Sequence, residues 1–430
     1  MSEINVVILA AGEGKRMKDN IPKPLHKVTG LPMIERVCRA VKEINPKNII
    51  AVESPFEDFS SFVDQTVIQE NYSGYADALK CALPKITSEK VLVINADMPL
   101  ITGKTLEKFV KNGGGSDSSV LVSKVKNPTD YGRVLTVGKS QVVEQIIEEK
   151  DATEEQKKIN LINTGIYLFK LDYIKRAIRQ VENNNKQREY YLTDVLTGAK
   201  IFILKNWQES LGVNNLRELA EVSVISRKKI NKEMMDNGVI LIDPKNTYID
   251  DHVVIGSGTV IKPGTIIEHD SVIGPDNEIG PFAHLRPKTI TGTDVHIGNF
   301  VETKNSKIGN HTHVEHLTYV GDALIGEGTN IGAGSVFVNY DGKNKHITKV
   351  GNRAFIGSGT KLIAPVQIAD EAITAAGSTI TNNISFHDMG IARQRQTNKK
   401  DFWKRMNHEN FALNYKKQGL NISSKQKPNK

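Results

Sequence analysis

The sequence predicts two architectures in one chain, an α/β domain with a Rossmann-like mixed sheet followed by a three-sided parallel β-helix. Three observations carry that reading. Apolar strands alternate with helical spacing up to Asn215, a long helical stretch starts there, and beyond it branched apolar residues recur at every sixth position.

Taken in order, "NVVILAAG" (5–12) reads as a buried strand and "LPMIERVCRAVKEI" (31–44) has helical spacing. "NIIAVE" (48–53) is a strand, "YADALKCAL" (75–83) a helix and "KVLVINAD" (90–97) a strand again. Strand and helix in turn imply a mostly parallel sheet covered on both faces. "SSVLVSKV" (118–125), "GRVLTV" (132–137) and "GIYLFK" (165–170) extend the sheet, some of them as hairpins. "NLRELAEVSVISRKKINKEMMDNG" (215–238) is a connector helix closed by a C-cap glycine. The expected divisions are 1–214, 215–238, 239–385 and a tail at 386–430.

The period of six runs through Ile249, Ile255, Ile261, Ile267, Ile273, Ile279 and Leu285, with Thr291 keeping phase and Ile297 resuming it. It slips by one before Ile308, continues through Val314 and Val320, slips again and runs Ile325, Ile331, Phe337. An excursion, "VNYDGKNKHITK" (338–349), interrupts it before Val350, Ile356, Leu362, Ile368, Thr374 and Ile380. Glycine often follows the apolar residue, as at Gly256, Gly274, Gly298 and Gly326. A helix cannot hold a period of six on one face, and a flat strand needs no such glycines. One side of a triangular prism fits, with the apolar residue inward and small residues near the corners. The excursion must project as a loop, and loops on rigid scaffolds often carry function.

The 430 residues allow two or three domains, and 39% hydrophobic content supports a sizeable core. The formal net charge of +8 is dispersed, apart from the basic stretch 416–430, which reads as a solvated terminus. Such a balance suits anionic small molecules, and no interleaving of aromatic and basic residues points to nucleic acid. Cys38 and Cys81 form no CxxC pair, which argues against a zinc cluster or a disulfide framework. No apolar run approaches the ~20 residues of a membrane span and the N-terminus lacks a signal-type apolar region, so the expected location is cytoplasmic.

The turn after the first strand, "GEGKRM" (12–17), is neither a Walker loop, whose spacing differs, nor GxGxxG, which would need glycine at Met17. It still has the parts of a phosphate site. Gly12 and Gly14 permit close backbone approach, Lys15, Arg16, Lys18 and Lys23 bring charge, and Pro22 and Pro24 stiffen the segment around Lys23. An ordinary strand-to-helix turn with solvated cations remains open on these residues alone. Asp97, in "VLVINADMPLI", ends a buried strand where parallel sheets place their sites. It reads equally as a magnesium ligand or as a turn residue.

"LAAGEGKRM" with "PKPLHKVTG" resembles the sugar-nucleotide pyrophosphorylases. Joined to a hexapeptide-repeat half, the chain resembles the bacterial bifunctional N-acetylglucosamine-1-phosphate uridylyltransferases/glucosamine-1-phosphate N-acetyltransferases. The similarity runs from about Asn5 to about Thr397 and includes "NPTDYGRV", "INTGIYLF", "EYYLTDVL", "GVNN", "GPFAHLRP", "GNFVETKNS", "HLTYVGDALIGEGTNIGAG" and "VNYDG". The resemblance implies an α/β nucleotidyltransferase domain followed by a left-handed parallel β-helix acetyltransferase domain, assembled as a homotrimer.

It also implies two reactions. In one, N-acetylglucosamine 1-phosphate attacks UTP with Mg2+ present. By resemblance Leu9, Ala10, Ala11 and Gly12 cradle the nucleotide, and Arg16 and Lys23 act on the triphosphate. Gln69, Gly74 and the neighbouring Tyr75 lie at the base, Gly132, Glu148 and Asn163 at the sugar, and Asp97 and Asn214 bind the metal. In the other, glucosamine 1-phosphate takes an acetyl group from acetyl-CoA. There His316 is the implied base, with Glu302 to orient its ring. Arg286, Lys304, Tyr319 and Asn330 are implied for the sugar phosphate, and Asn339, Tyr340, Ser358, Ala376 and Arg393 for the acetyl group or CoA.

This chain departs from the family pattern in three places. "GYADA" (74–78) replaces a GTxHA-like stretch, "NAD" (95–97) replaces YGD, and the repeats before "GPFAHLRP" are shorter by about two coils. Two other readings have distinct signatures. A single-activity pyrophosphorylase would have no base in its repeats, and a non-catalytic assembly subunit would lose the cationic loop and the metal acid. His316, Arg16, Lys23 and Asp97 are all present.

Overall fold

The computed structural model describes residues 4–405 apart from Glu13 and Lys139. The expected tail beyond Arg405, including the basic stretch 416–430, lies outside the described residues.

The first half is built on β1 (Ile4–Leu9), β2 (Asn48–Glu53), β3 (Gln65–Ile68), β4 (Lys90–Asn95), β5 (Ser118–Lys124), β6 (Arg133–Thr136), β7 (Val143–Ile147), β8 (Leu161–Lys170) and β9 (Lys200–Ile203). The main order is β9-β5-β8-β4-β1-β2-β3, with the β6–β7 hairpin attached to β8. β4, β1, β2 and β3 run parallel. β8 lies antiparallel between β4 and β5, so the sheet is less parallel than the alternation of strand and helix suggests. The reason is local: after β5 the chain turns back through hairpins instead of crossing over a helix.

β1 is buried throughout, as a strand covered on both faces must be. Helix α1 (Met33–Lys42) covers one face with Met33, Ile34, Val37, Cys38 and Val41, a helical stripe. Helix α2 (Tyr75–Ala82) covers the other with Ala78, Leu79 and Ala82. β1, β2, β3 and β4 therefore all end at one edge of the sheet, and the residues after them meet there.

The connector helix α3 (Leu216–Asp236) begins at Asn215, whose Oδ1 accepts from the amides of Arg217 and Glu218. It ends in a Schellman turn. Gly238, at φ +89°, donates to Met235 and Val239 donates to Met234. Val222 of this helix packs with Met17, Val28, Met33 and Val213 of the first half, while Ile230 packs into the core of the second. Arg36 pairs with Asp251 of the repeats, and Thr29 Oγ1 donates to the same carboxylate at 2.7 Å.

The second half is a prism whose three faces hold nine, eight and seven strands. The first face starts at Ile240–Leu241, the second at Tyr248–Ile249 and the third at Val254–Ile255. Residues 18 apart stack, as Ile261 under Ile279 and Ile279 under Ile297. Every phase-keeping residue of the sequence pattern points inward and is buried, the threonines at 291 and 374 included.

The two slips have a common cause. Ile297 stacks on Val314, Thr303 on Val320 and Ile308 on Ile325, which are steps of 17. Both shortened sides, Thr303 to Ile308 and Val320 to Ile325, lie where the second face turns into the third. The excursion leaves at that same corner, between Val338 and Thr348.

Close stacking demands glycine at certain corners. A Cβ on Gly298 would lie 1.9 Å from the carbonyl oxygen of Glu315 in the next coil. Gly298→Ala should therefore cost about 1–3 kcal/mol through overpacking. A thermal unfolding midpoint equal to that of the parent chain would show that the coils are not stacked this closely there.

Candidate functional sites

At the carboxyl edge of the first sheet, four of the sequence-derived residues converge. Lys23 Nζ pairs with the carboxylate of Asp97, which follows β4, and donates to Asn214 Oδ1 at 3.0 Å. Arg16 Nη2 donates to the same Asn214 oxygen at 3.0 Å. These residues come from three distant parts of the chain, so only the fold assembles them. The segment after β1 makes a single 3-10 turn at Lys15–Met17 and no long helix. Charge at this turn thus comes from side chains and not from a helix dipole.

The amide of Ala10 is taken by Val52 O, and Leu9 O accepts from Ala96. Those bonds hold the strand end flat. A Cβ on Gly12 would meet no protein atom within 4 Å, which leaves that space open to a ligand.

A second group adjoins this one. β8 shifts register between Asn163 and Ile166, and such bulges re-aim side chains. Asn163 donates to the Tyr167 hydroxyl at 2.8 Å. A Cβ on Gly132 would lie 3.2 Å from Glu148 Oε2 and 3.5 Å from Asn163 Cβ, so the three are neighbours. Burial pushes the Glu148 carboxyl above the usual range, aided by Asp151, Asp194 and Glu189 and opposed by a hydrogen bond from Thr193. Tyr75 keeps 41% of its surface exposed. Its phenol is nonetheless pushed well up by burial, then by Asp97, Tyr72, Tyr167 and Glu148, which puts it beside both groups. In the divergent "NAD", Asn95 lies under Gly165, where a Cβ would sit 2.5 Å from Asn95 Nδ2. Gln69 is buried just after β3 and its Oε1 has no hydrogen-bond partner among the described residues. Gly74, at φ +112°, passes so close to Tyr190 O that a Cβ would lie 2.6 Å away.

On the prism the implied residues sort by edge and face. His316 ends the strand His313–His316 on the corner between first and second faces; it is exposed, and its ring has no hydrogen-bond partner among the described residues. The same corner continues upward through backbone bonds, Gly334 to His316 O, Gly359 to Ala333 O and Gly377 to Ser358 O. Arg393 follows, its Cδ 3.8 Å from where a Cβ on Gly377 would stand. Ser358, Ala376 and Arg393 thus run along one edge with His316.

Arg286, Glu302, Lys304 and Tyr319 are carried by the second face. Glu302 accepts from Arg286 at 2.9 Å, and no hydrogen bond joins it to His316 among the described residues. Asn330 belongs to the first face, paired with His313, and so lies apart from Arg286 and Lys304.

The corner between second and third faces holds the projecting loop. Asn305 donates to Asp322 at 2.6 Å, and Asn339 bonds the other oxygen of Asp322 and also Tyr319 at 3.4 Å. The loop braces itself: Asp341 accepts from the amides of Lys343 and Asn344, and Tyr340 pairs with Lys345 in a short bridge. The Asn344 amide, with His346 and Lys343, holds the Asp341 carboxyl down at about 2. Lys345, first, and Arg286, second, depress the Lys304 ammonium. Three cations therefore share one patch. Sequence reading missed Lys345, Asp322 and Thr193; the first lies in the excursion, but nothing in a linear pattern says that the loop folds back over Lys304.

Asp97 and Asn214 offer hard oxygen donors, which suit magnesium. Among the described residues, His296, His313 and Glu315 also bring ligand atoms within 4.8 Å of one another, on the first face. Their nitrogen donors suit a softer metal than magnesium.

The comparisons with known proteins agree with both halves. A MobA-like NTP transferase domain matches residues 6–159, and a hexapeptide repeat of succinyl-transferase matches 247–274 and 347–382. The chain is 65% identical to the bifunctional protein GlmU of Oenococcus oeni, across 96% of this chain and 97% of that one. It is 40% identical to the Clostridium tetani protein of that name, across 93% and 98%. With that of Thermosipho melanesiensis the identity is 41%, across 96% and 100%.

The cation patch makes a direct prediction. Lys345→Ala removes the leading cause of the Lys304 depression, so the Lys304 ammonium should titrate at higher pH. NMR of the isotopically methylated lysines would follow it, and an unmoved titration would take Lys345 out of the patch.

Proposed function

The chain belongs to the bifunctional GlmU family, and from that premise we propose how its two groups of residues divide the work. It is a transferase of UDP-N-acetylglucosamine synthesis. It acetylates glucosamine 1-phosphate with acetyl-CoA, then transfers UMP from UTP to N-acetylglucosamine 1-phosphate with release of pyrophosphate. The division we adopt is 1–214 for uridylyl transfer, 215–238 as connector and 239 onward for acetyl transfer; the expected boundary at 385 moves to about Arg393, because Met389–Gly390 pairs with Ile373–Thr374 in the first face. No helix among the described residues is long and apolar enough to cross a membrane, and we place the enzyme in the cytoplasm.

Uridylyl transfer belongs to the sheet edge. The observation that carries this is the meeting of Lys23 with Asp97 and Asn214. Attack of the sugar phosphate oxygen on the α-phosphorus leaves little covalent work for a protein; positioning and charge neutralisation dominate. Leu9, Ala10, Ala11 and Gly12 form the floor on which the nucleotide lies, with Gln69, Gly74 and Tyr75 at its base. Gly132, Glu148 and Asn163 hold the sugar, the raised carboxyl of Glu148 being placed to accept from its hydroxyls. Asp97 and Asn214 would hold Mg2+, and the fit is supported by the ammonium of Lys23, a cation already stabilised against both oxygens. When bound, the metal would supply charge neutralisation on the phosphates. Arg16 and Lys23 then turn to the triphosphate and hold the charge that builds on departing pyrophosphate.

Acetyl transfer belongs to the prism. His316 takes the proton of the sugar amine as its nitrogen attacks the thioester carbon; the C–S bond then breaks, CoA leaves as thiolate and takes up that proton, and imidazole is suited to the transfer near neutrality. Arg286, Lys304 and Lys345 hold the phosphate, with Tyr319 and Asn330 at the sugar. Asn339, Tyr340, Ser358, Ala376 and Arg393 hold the acetyl group and CoA along the edge above His316.

A convex prism gives a reason for a homotrimer. The outer faces of one prism diverge, so Asn330 on the first face and Lys304 on the second cannot enclose one substrate. A neighbouring copy would supply the missing wall. Val254, Val272 and Ile290, exposed in one row of the third face and followed there by Lys307 and Leu324, are apolar surface that such packing would cover.

Two substitutions separate the sites. His316→Ala should lower acetyl transfer ~10²–10⁴-fold while UDP-sugar formation stays within twofold. Products would be sorted by mass with each cosubstrate omitted in turn, and parallel loss of both reactions would contradict separate sites. Asp97→Ala should do the reverse, abolishing magnesium-dependent UDP-sugar formation but sparing acetylation. Full uridylyl activity in that variant would remove Asp97 from the metal site.

A further inference from the structure

We infer that Asp77 is a positioning residue. It fixes the side-chain amide of Gln69 so that only an acceptor faces the nucleobase, and thereby favours a base that carries an N–H at that edge, uracil over cytosine. This deepens the uridylyl reading above and rests on it.

Gln69 is 2% exposed and follows β3 at the sheet edge that holds Asp97. Its backbone amide donates to Glu53 O, while that of Ala10 donates to Val52 O, both at 2.9 Å. Ala10 and Gln69 therefore flank the end of β2 two strand spacings apart, ~10 Å, which is the reach from a nucleotide's phosphates to its base.

The amide has only one orientation. Gln69 Nε2 donates to Asp77 Oδ2 at 3.0 Å and to Gly74 O at 3.3 Å. A carboxylate and a carbonyl only accept, so a flipped amide would set oxygen against oxygen. Ser73 Oγ donates to the same Asp77 oxygen at 2.7 Å and pins it. The consequence falls on the other end of the amide. Gln69 Oε1 is closed to solvent and has no hydrogen-bond partner among the described residues. Buried acceptors are rarely left so, and a ligand N–H would complete this one.

Uracil presents N3–H, a donor. Cytosine presents a bare N3 lone pair, and two acceptors would face each other with neither able to turn. Asp77 stands in the "GYADA" stretch that departs from the family pattern, and the inference gives that stretch a task. The backbone bonds from Tyr190 to Ser73 O and from Ala76 to Tyr190 O hold the stretch rigid.

The test compares kcat/KM for UTP and CTP, with N-acetylglucosamine 1-phosphate and magnesium, in the full-length enzyme and in Asp77→Asn. Acetyl transfer serves as the measure of folded enzyme. An asparagine can accept or donate, so Gln69 regains its second orientation. The UTP:CTP preference should fall at least ~10-fold, and Asp77→Glu, which can only accept, should restore most of it. A parallel loss with both nucleotides, or an unchanged preference, would make Asp77 merely structural and overturn the inference. A parent enzyme that prefers UTP yet keeps that preference in Asp77→Asn overturns this proposal alone. A parent enzyme inert with every nucleotide overturns the uridylyl reading and the proposal with it.

Discussion

The second half of the molecule depends on one constraint: each side of each coil must place one large residue at a fixed position in a three-sided core. A smaller buried residue two positions earlier lines the same core, as Ala283 does before Leu285 and Val295 before Ile297. Ile261, Ile279, Ile297 and Val314 occupy successive floors of one file. Backbone bonds run from coil to coil, so a change of length is confined to the corner, where the strands on either side keep their pairing. The two five-residue sides, and then the loop, all fall at a single corner. Corner length, not strand content, decides where this fold can open its surface to function.

The first half obeys a different rule. Its parallel strands are fixed by burial on both faces, and the sheet says nothing about charge until the strands end. There Lys23, Arg16, Asp97 and Asn214 meet in one network. Among these four side chains two cations face one carboxylate, with Glu218 joined to the network through the Asn214 amide. The two cations suit a polyanion better than a neutral ligand. The same cations, shared with Asp97 and Asn214, are held in place instead of ranging through solvent.

Much of this was legible in sequence, for physical reasons that also mark its limit. A period of six has one solution, so the inward file could be read residue by residue, slips included. The strands of the first half matched their apolar runs for the same reason, as "NIIAVE" does with Asn48–Glu53. Relations across the fold were not legible. Glu302 and His316 are 14 residues apart, and the bond that Glu302 makes is to Arg286, which the linear pattern does not indicate. Lys345 and Lys304 are 41 apart and do influence each other. The role of Asp77 was hidden because a linear reading shows a missing histidine, not an amide whose orientation it dictates. Resemblance supplied the roles of individual residues; geometry shows which of them can act together.

The connector ties the two halves more closely than a linker would. α3 lends Val222 to the core of the first half and Ile230 to that of the second, so neither core is complete without it. Asn214, which receives both Arg16 and Lys23, is the residue just before the cap of this helix, and its amide donates to Glu218 of the first turn at 2.6 Å. A shift of α3 along its axis would move Asn214 against Asp97 directly. Arg36, Thr29 and Asp251 oppose such a shift from the far side, by locking the first coil of the prism to the turn that precedes α1. The prism therefore does more than carry a second active site. By anchoring the far end of the helix, it fixes Asn214, the oxygen donor we propose for the first one, and a truncation that removed the repeats would loosen that residue even though no residue of the nucleotide pocket had been touched.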